Sequence, residues 1–206
     1  MEKLLIFPFN GNGIEALDCI REQYEVVGFI DDNPSKHGKT SFGFEVFGRD
    51  FINKYEEIKI LAVPGNPQNF RERLRIINEL HIPYERYATV IHPGASISPF
   101  ATIGKNVLIM AGVVVTSNAI ISDHVCILPN SVIHHDSVLG AGTLVGSNVL
   151  IAGSVLIGEN CYIASGSNVI NGISVGKGTL LGLGTNLLKN TPEGSKVIGN
   201  PGRLVL

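Results

Sequence analysis

The sequence predicts two fold classes in series, a small α/β domain over residues 1–88 and a parallel β-helix over residues 89–206. Three observations predict this. Every sixth residue from Ile91 to Leu187 is aliphatic, seventeen positions without one insertion. Ahead of that stretch, short apolar runs alternate with glycine turns and helical patterns. The composition, 44% hydrophobic but only 7% aromatic with 24 glycines, suits regular stacking of small and branched side chains.

Residues 4–9, LLIFPF, form an apolar run followed by Asn10-Gly11-Asn12-Gly13 and a helical pattern with Ile14, Leu17 and Ile20 on one face. This reads as strand, glycine turn, helix. VVGFIDD (26–32) is a second strand, and IKILAVP (58–64) a third, preceding a helix with Phe70, Leu74, Ile77 and Leu80 as its apolar positions. Strands alternating with helices give a small parallel sheet with crossover helices, a Rossmann-like βαβαβ unit. A G-x-G after the first strand with Asp31 and Asp32 ending the second resembles half of a dinucleotide fingerprint. A domain ending at residue 88 is too short for two mononucleotide halves, so a nucleotide carried on a sugar suits it better than NAD. The plain alternative is that Asp31-Asp32-Asn33-Pro34 is only a turn.

Neither a helical nor a two-residue period produces the pattern after residue 91. A six-residue repeat is the signature of a β-helix, in which short strands cover the faces of a prism and stacked coils bury one continuous column. The fourth residue after each aliphatic position is usually small, as at Ala119, Ser131, Ser137, Thr143, Cys161 and Thr179. With three strands per turn, a coil takes about 18 residues. Residues 18 apart then lie over one another at about 4.8 Å.

That register sorts VIHHDSVLG (132–140), which sets two histidines and an aspartate side by side. Ile133 points inward and His134 outward, and His135 lies near a corner beside Asp136, between Ser117 below and Gly153 above. The small column implies open space at the tip of His135 and a Gly153 N–H within reach. His37, His81, His92 and His124 read as surface decoration. Zinc would need three or four ligands, and the repeat stacks Ser117 and Gly153 around His135, so no metal is expected. Ser117 and Ser137 sit in no G-x-S-x-G elbow, which weakens a serine hydrolase.

A net charge of -2 gives no electrostatic reason to expect nucleic acid or an anionic membrane as a partner. No apolar run is long enough to span a bilayer, and Cys19, Cys126 and Cys161 show no C-x-x-C spacing. A reduced, cytoplasmic protein is the plain expectation.

TIGKNV, VLGAGT, LIGENC and SVGKGT resemble the hexapeptides of the left-handed β-helix acyltransferases. FNGNG, residues 28–48, TVIHPGASIS and VIHHDSVLG together resemble one branch of them. It is the sialic acid O-acetyltransferase-like group, which includes the bacterial nucleotide-sugar N-acetyltransferases of the bacillosamine and perosamine type. The resemblance implies acetyl-CoA as co-substrate, a nucleotide-linked sugar as acceptor and a homotrimer with sites between subunits. It implies His135 as general base with Asp136 as its partner, and Asn10, Gly11, Asn12, Asp31, Asp32 and Gly65 in the nucleotide-sugar site. It places Leu144, Gly153, Ser165 and Leu183 along acetyl-CoA, and Arg203, in a tail resembling the family's GxPAK-like ending, near a CoA phosphate. Leu144 stands where a relative of the bacillosamine type has a histidine, so that side-chain role is lost, and Asn12 replaces a histidine of some relatives at the point of base or phosphate recognition. The chemistry suits the residues: imidazole, with an ordinary pKa of about 6.5, takes a proton at neutral pH. A carboxylate on its other nitrogen fixes the tautomer, and a backbone N–H such as that of Gly153 would meet the developing oxyanion. The leading expectation is N-acetylation of an amino sugar for surface glycans, with sugar O-acetylation and a non-catalytic β-helix module as alternatives.

Overall fold

The computed structural model describes residues 1–20 and 22–205. Its first part is a five-stranded sheet in the order β3-β4-β2-β1-β5, made of β1 (Glu2–Phe7), β2 (Tyr24–Ile30), β3 (Gly38–Lys39), β4 (Glu45–Phe47) and β5 (Lys59–Ala62). β1 runs parallel to β2 and β5, and β2 to β4, as crossover connections demand. Only the short β3 is antiparallel, to β4. The helix α1 (Gly11–Ile20) starts earlier than its apolar pattern because Asn10 caps it: the Gly13 N–H donates to Asn10 Oδ1 at 2.8 Å. The β3–β4 hairpin and the five-residue α2 (Asp50–Lys54) carry no periodic signal and were not expected. The later helical pattern splits into a 3₁₀ turn, Phe70–Glu72, and α3 (Arg73–Asn78).

From Val90 the chain winds into a left-handed β-helix of two- and three-residue strands forming three sheets. Register is exact at 18 residues as far as Leu187, with Ile133 over Val115 and under Ile151, and Val145 between Ile127 and Ile163, and it shortens only in the last coil, where Leu181 pairs with Val197. All seventeen aliphatic positions share one interior cluster, fully enclosed except Ile91, Ile97 and Ile103 in the first coil. Each fully buried aliphatic side chain contributes about 1.5–3 kcal/mol, and a coil obtains this only when a neighbour covers it. The small column has a second use. Ser137 Oγ donates to the Ala152 carbonyl at 2.7 Å and accepts from the Val155 N–H at 3.1 Å, and Ser131 and Thr143 repeat this toward their next coils. These buried hydroxyls satisfy backbone groups that the short strands leave over.

The α/β domain packs on the sheet of Leu108, Cys126 and Leu144, sharing a core with it that includes Leu4, Ile6, Phe29 and Val90. Polar groups lock the junction. Asn106 is buried and exchanges two 2.7 Å hydrogen bonds with the Ala62 backbone. Arg73, fully buried, donates to the carbonyls of Gly142 (2.8 Å), His124 (2.7 Å) and Pro64. Burial lowers its pKa to about 10, so it stays charged at neutral pH. His124 is therefore not decoration: it lies half-buried against Tyr87 and bonds Asn106 Nδ2 at 2.9 Å. Burial, the largest cause, and Arg73 lower its pKa, while Asp123 opposes them. His37 is also engaged, its Nε2 lying 2.9 Å from the Asp31 carbonyl.

Candidate functional site

The corner after Val132–Ile133 places His135 and Asp136. Corner residues of this helix take the left-handed conformation, Asn118 at φ 60°, Asp136 at 59° and Ser154 at 57°, which Asn, Asp and Gly tolerate best. Asp136 is thus a turn former as well as an acid. Its Oδ2 lies 2.7 Å from His135 Nδ1, and its Oδ1 accepts from Asn118 Nδ2 at 3.1 Å, one coil below. These hydrogen bonds, that from His135 first, hold the Asp136 carboxyl below the usual carboxylate range. Asn118 was missed in the sequence, although its position 18 residues before Asp136 was the available signal.

The expected open space above His135 is not open. An added Cβ at Gly153 would fall 2.7 Å from both Nε2 and Cε1 of His135, so the ring itself lies across the glycine. Gly153 is required by the imidazole before it serves any ligand. Among the described residues, neither the Gly153 N–H nor His135 Nε2 makes a hydrogen bond. The His135 and Asp136 side chains remain 56% and 50% exposed. His134 points outward, half-buried, and its ring meets that of His135 edge to face at 6.5 Å.

A second concavity, about 510 Å³, opens where the parallel strands of the α/β domain end against the β-helix, the usual place for ligands of open α/β sheets. It brings together Asn10, Gly11, Asn12, Asp31, Asp32 and Gly65. Leu144 joins them, with Tyr162 and Leu128, on a different prism face from Gly153. The two aspartates are already engaged. Asp31 is buried, takes the Phe9 N–H at 3.1 Å and Lys36 Nζ at 2.8 Å on Oδ2, and takes the Asn33 N–H on Oδ1 at 2.9 Å. Asp32 is gripped by Arg49 through Nε at 2.5 Å and Nη2 at 2.8 Å. Lys36 lines the cleft and was also missed, because its pairing with Asp31 depends on a 3₁₀ turn, Pro34–Lys36, initiated by Asn33.

The remaining residues belong to neither group, although Ser165 lies against Gly146, which lines the cleft. Ser165 and Leu183 stack on the corner that follows Leu144–Val145 and its equivalents, with Leu183 77% exposed. Arg203 is exposed on the terminal strand Arg203–Leu204, antiparallel to Lys196–Ile198. Among the described residues no cluster of His, Cys, Asp and Glu is arranged to hold a metal ion, and no helix is long and apolar enough to cross a membrane.

Residues 118–153 match the family model for the bacterial transferase hexapeptide (six repeats). No curated protein sequence matches the chain. Among solved structures, it is similar to the acetyltransferase domain of PglB from Neisseria gonorrhoeae FA1090, at 27% identity, with all of both chains covered and a TM-score of 0.88. That domain has also been solved in complex with acetyl coenzyme A. PerB from Caulobacter crescentus, solved with CoA and GDP-perosamine, is 24% identical over 100% of this chain and 97% of its own, with a TM-score of 0.87. WeeI from Acinetobacter baumannii AYE is 23% identical over the full length of both, also at 0.87. At these two identities the likeness speaks for the fold.

Proposed function

We propose that this chain, whose residues 118–153 match the bacterial transferase hexapeptide model and whose left-handed β-helix follows a small α/β domain, transfers acetyl from acetyl-CoA to the amino group of a nucleotide-linked amino sugar. The reaction would serve bacterial surface-glycan synthesis, of the lipopolysaccharide kind, in the cytoplasm; the three cysteines are free and buried, which suits that compartment. The observation that carries the reading is the 2.7 Å His135–Asp136 pair with Nε2 left over for a substrate.

Asp136 accepts the Nδ1–H, which fixes the tautomer and leaves the Nε2 lone pair outward. His135 Nε2 takes a proton from the amine as its nitrogen bonds the thioester carbonyl carbon. The Gly153 N–H is the donor proposed for the oxygen on which charge develops. The C–S bond then breaks, and the imidazolium returns its proton to the departing CoA sulfur. In the cleft, the N–H groups of Gly11 and Asn12 at the start of α1 would face the phosphates, beside Asn10, Asp31, Asp32 and Gly65.

Cleft and base lie on different faces of one chain, so we place the working site between copies, in a homotrimer. Outward-facing apolar residues flank the His135 corner, Val114, Val132 and Leu150 on one face and Ile120, Val138 and Leu156 on the next. Ile120 and Leu156 are 43% and 51% exposed. In that arrangement acetyl-CoA would run between the His135–Gly153 corner of one copy and the Ser165–Leu183 corner of the next. Leu144 would close its inner side, and Arg203 would meet a phosphate.

The test is thiol release from acetyl-CoA with UDP-, GDP- and dTDP-linked 4-amino sugars and their hydroxyl counterparts. His135→Ala should lower kcat/KM roughly 10²–10⁴-fold. Wild-type protein that consumes acetyl-CoA with none of them refutes the proposal, and preference for a hydroxyl acceptor redirects it to O-acetylation.

A further inference from the structure

The cleft presents a charge problem that its rim does not solve. A nucleotide diphosphate brings two or more negative charges, yet the ionic groups that line the cleft are already paired, Lys36 with Asp31 and Asp32 with Arg49 beyond the lining. Behind the wall lies a cation that, among the described residues, no carboxylate neutralises. Arg73 has 0% exposure, and its guanidinium is held only by the carbonyls of Pro64, Gly142 and His124. A buried ionised group ordinarily has a counter-ion.

Pro64 and Gly65, both lining the cleft, lie against that charge: Pro64 gives it a carbonyl, and Gly65 covers it with backbone alone. Gly65 takes φ 115°, a conformation for glycine, and a Cβ there would lie 2.8 Å from Arg73 Cγ and Cδ and 3.2 Å from Nη1. The glycine therefore rests flat on the arginine and forms a thin window, with no side chain between the guanidinium and the cleft. A charge in such surroundings acts across low-dielectric protein and escapes most salt screening.

We propose that Arg73 is the counter-charge for the diphosphate of the bound nucleotide sugar, acting through the Gly65 backbone without touching the ligand. It is a positioning and electrostatic residue, not a catalytic one. The inference rests on the nucleotide-sugar reading of the cleft, and the experiment separates the two.

Calorimetric titration of the wild-type protein with UDP, GDP and dTDP identifies the base that binds; if none binds, the nucleotide-sugar reading itself fails. With that base, Arg73→Gln should weaken the nucleoside diphosphate on the order of tenfold or more while leaving the matching nucleoside unchanged. Arg73→Lys, which keeps the charge, should retain most of the affinity. Equal loss for diphosphate and nucleoside would show a merely structural role, and no loss for the diphosphate would overturn the proposal outright. If the glutamine variant does not fold, the salt response of the wild type decides. Diphosphate affinity should change little as NaCl is raised into the range that screens surface charges, whereas a steep fall would assign the binding to exposed Lys36.

Discussion

Gly153→Ala is the sharpest probe of the candidate base, because it adds one methyl group and removes nothing. The added Cβ would stand 2.7 Å from Nε2 and Cε1 of His135, where ordinary contact begins at 3.4 Å, so the ring must retreat by about 0.7 Å. The retreat works against the 2.7 Å bond from Nδ1 to Asp136, so it turns Nε2 away from the proton it should remove. Displacements near 1 Å at a reacting group cost on the order of 10²-fold in rate, and that is the loss expected in kcat. Gly153 has no left-handed φ to make alanine strained, and the imidazole is half exposed, so thermal stability should fall little. Steady-state kinetics on Gly153→Ala, His135→Ala and the double variant form a cycle. In the His135→Ala background the methyl has no ring to displace and should cost almost nothing. Retained activity within about threefold in Gly153→Ala, or an undiminished effect in the double variant, would refute the claim that this glycine exists to seat His135.

Other outcomes follow from the same geometry. Ser131→Ala leaves the Gly146 carbonyl and the Val149 N–H without their buried hydroxyl; denaturant unfolding should show a loss of about 1–3 kcal/mol. Burial holds His124 below its ordinary pKa, so the unfolded chain binds the proton first. Stability from this group is full above about pH 6.5 and is lost as pH falls through the lowered folded value. His124→Gln should accordingly flatten the fall in Tm on the acid side of neutrality. Asp136 has its carboxyl pKa lowered by His135 and then Asn118, so its contribution is present above about pH 4 and disappears as pH falls through the lowered value. The Tm difference between wild type and Asp136→Asn should close in strong acid. Leu156→Glu places a charge on the apolar face beside the His135 corner; light scattering should report loss of the trimer, with activity lost in parallel. A fully active monomer would contradict the shared site.

The β-helix was legible because its cause is local. One aliphatic residue in six must enter the prism, so Ile109 through Leu187 declare themselves without knowledge of any partner. The same count put Asp136 beside His135 and Gly153 above them. It could not say that the imidazole folds over the glycine, since a rotamer is not written in a period. The glycine turn and the two aspartates line one cleft, but their engagement by Lys36 and Arg49 was hidden. Those pairs depend on the 3₁₀ turn at Pro34–Lys36 and on α2, whose sequences have no recurring pattern. The junction was the least legible part. Arg73 meets Gly142 and His124, and Asn106 meets Ala62, across 44 to 69 residues of chain. A lone arginine in an exposed-looking helical pattern gives no sign of such partners.

The exact 18-residue register has a consequence for how such a scaffold can change. Position along the prism axis is available only in whole coils, about 4.8 Å each, and position around it only in steps of six residues. An insertion of any other length would turn aliphatic residues outward and break the hydroxyl column, so it must loop out of the wall. Inserting 18 residues between the His135 coil and the C-terminal strands would leave every face where it is and lengthen the track beyond the base by one step. The fold is in this sense a ruler with discrete marks, on which the distance from base to terminus can be reset without disturbing either.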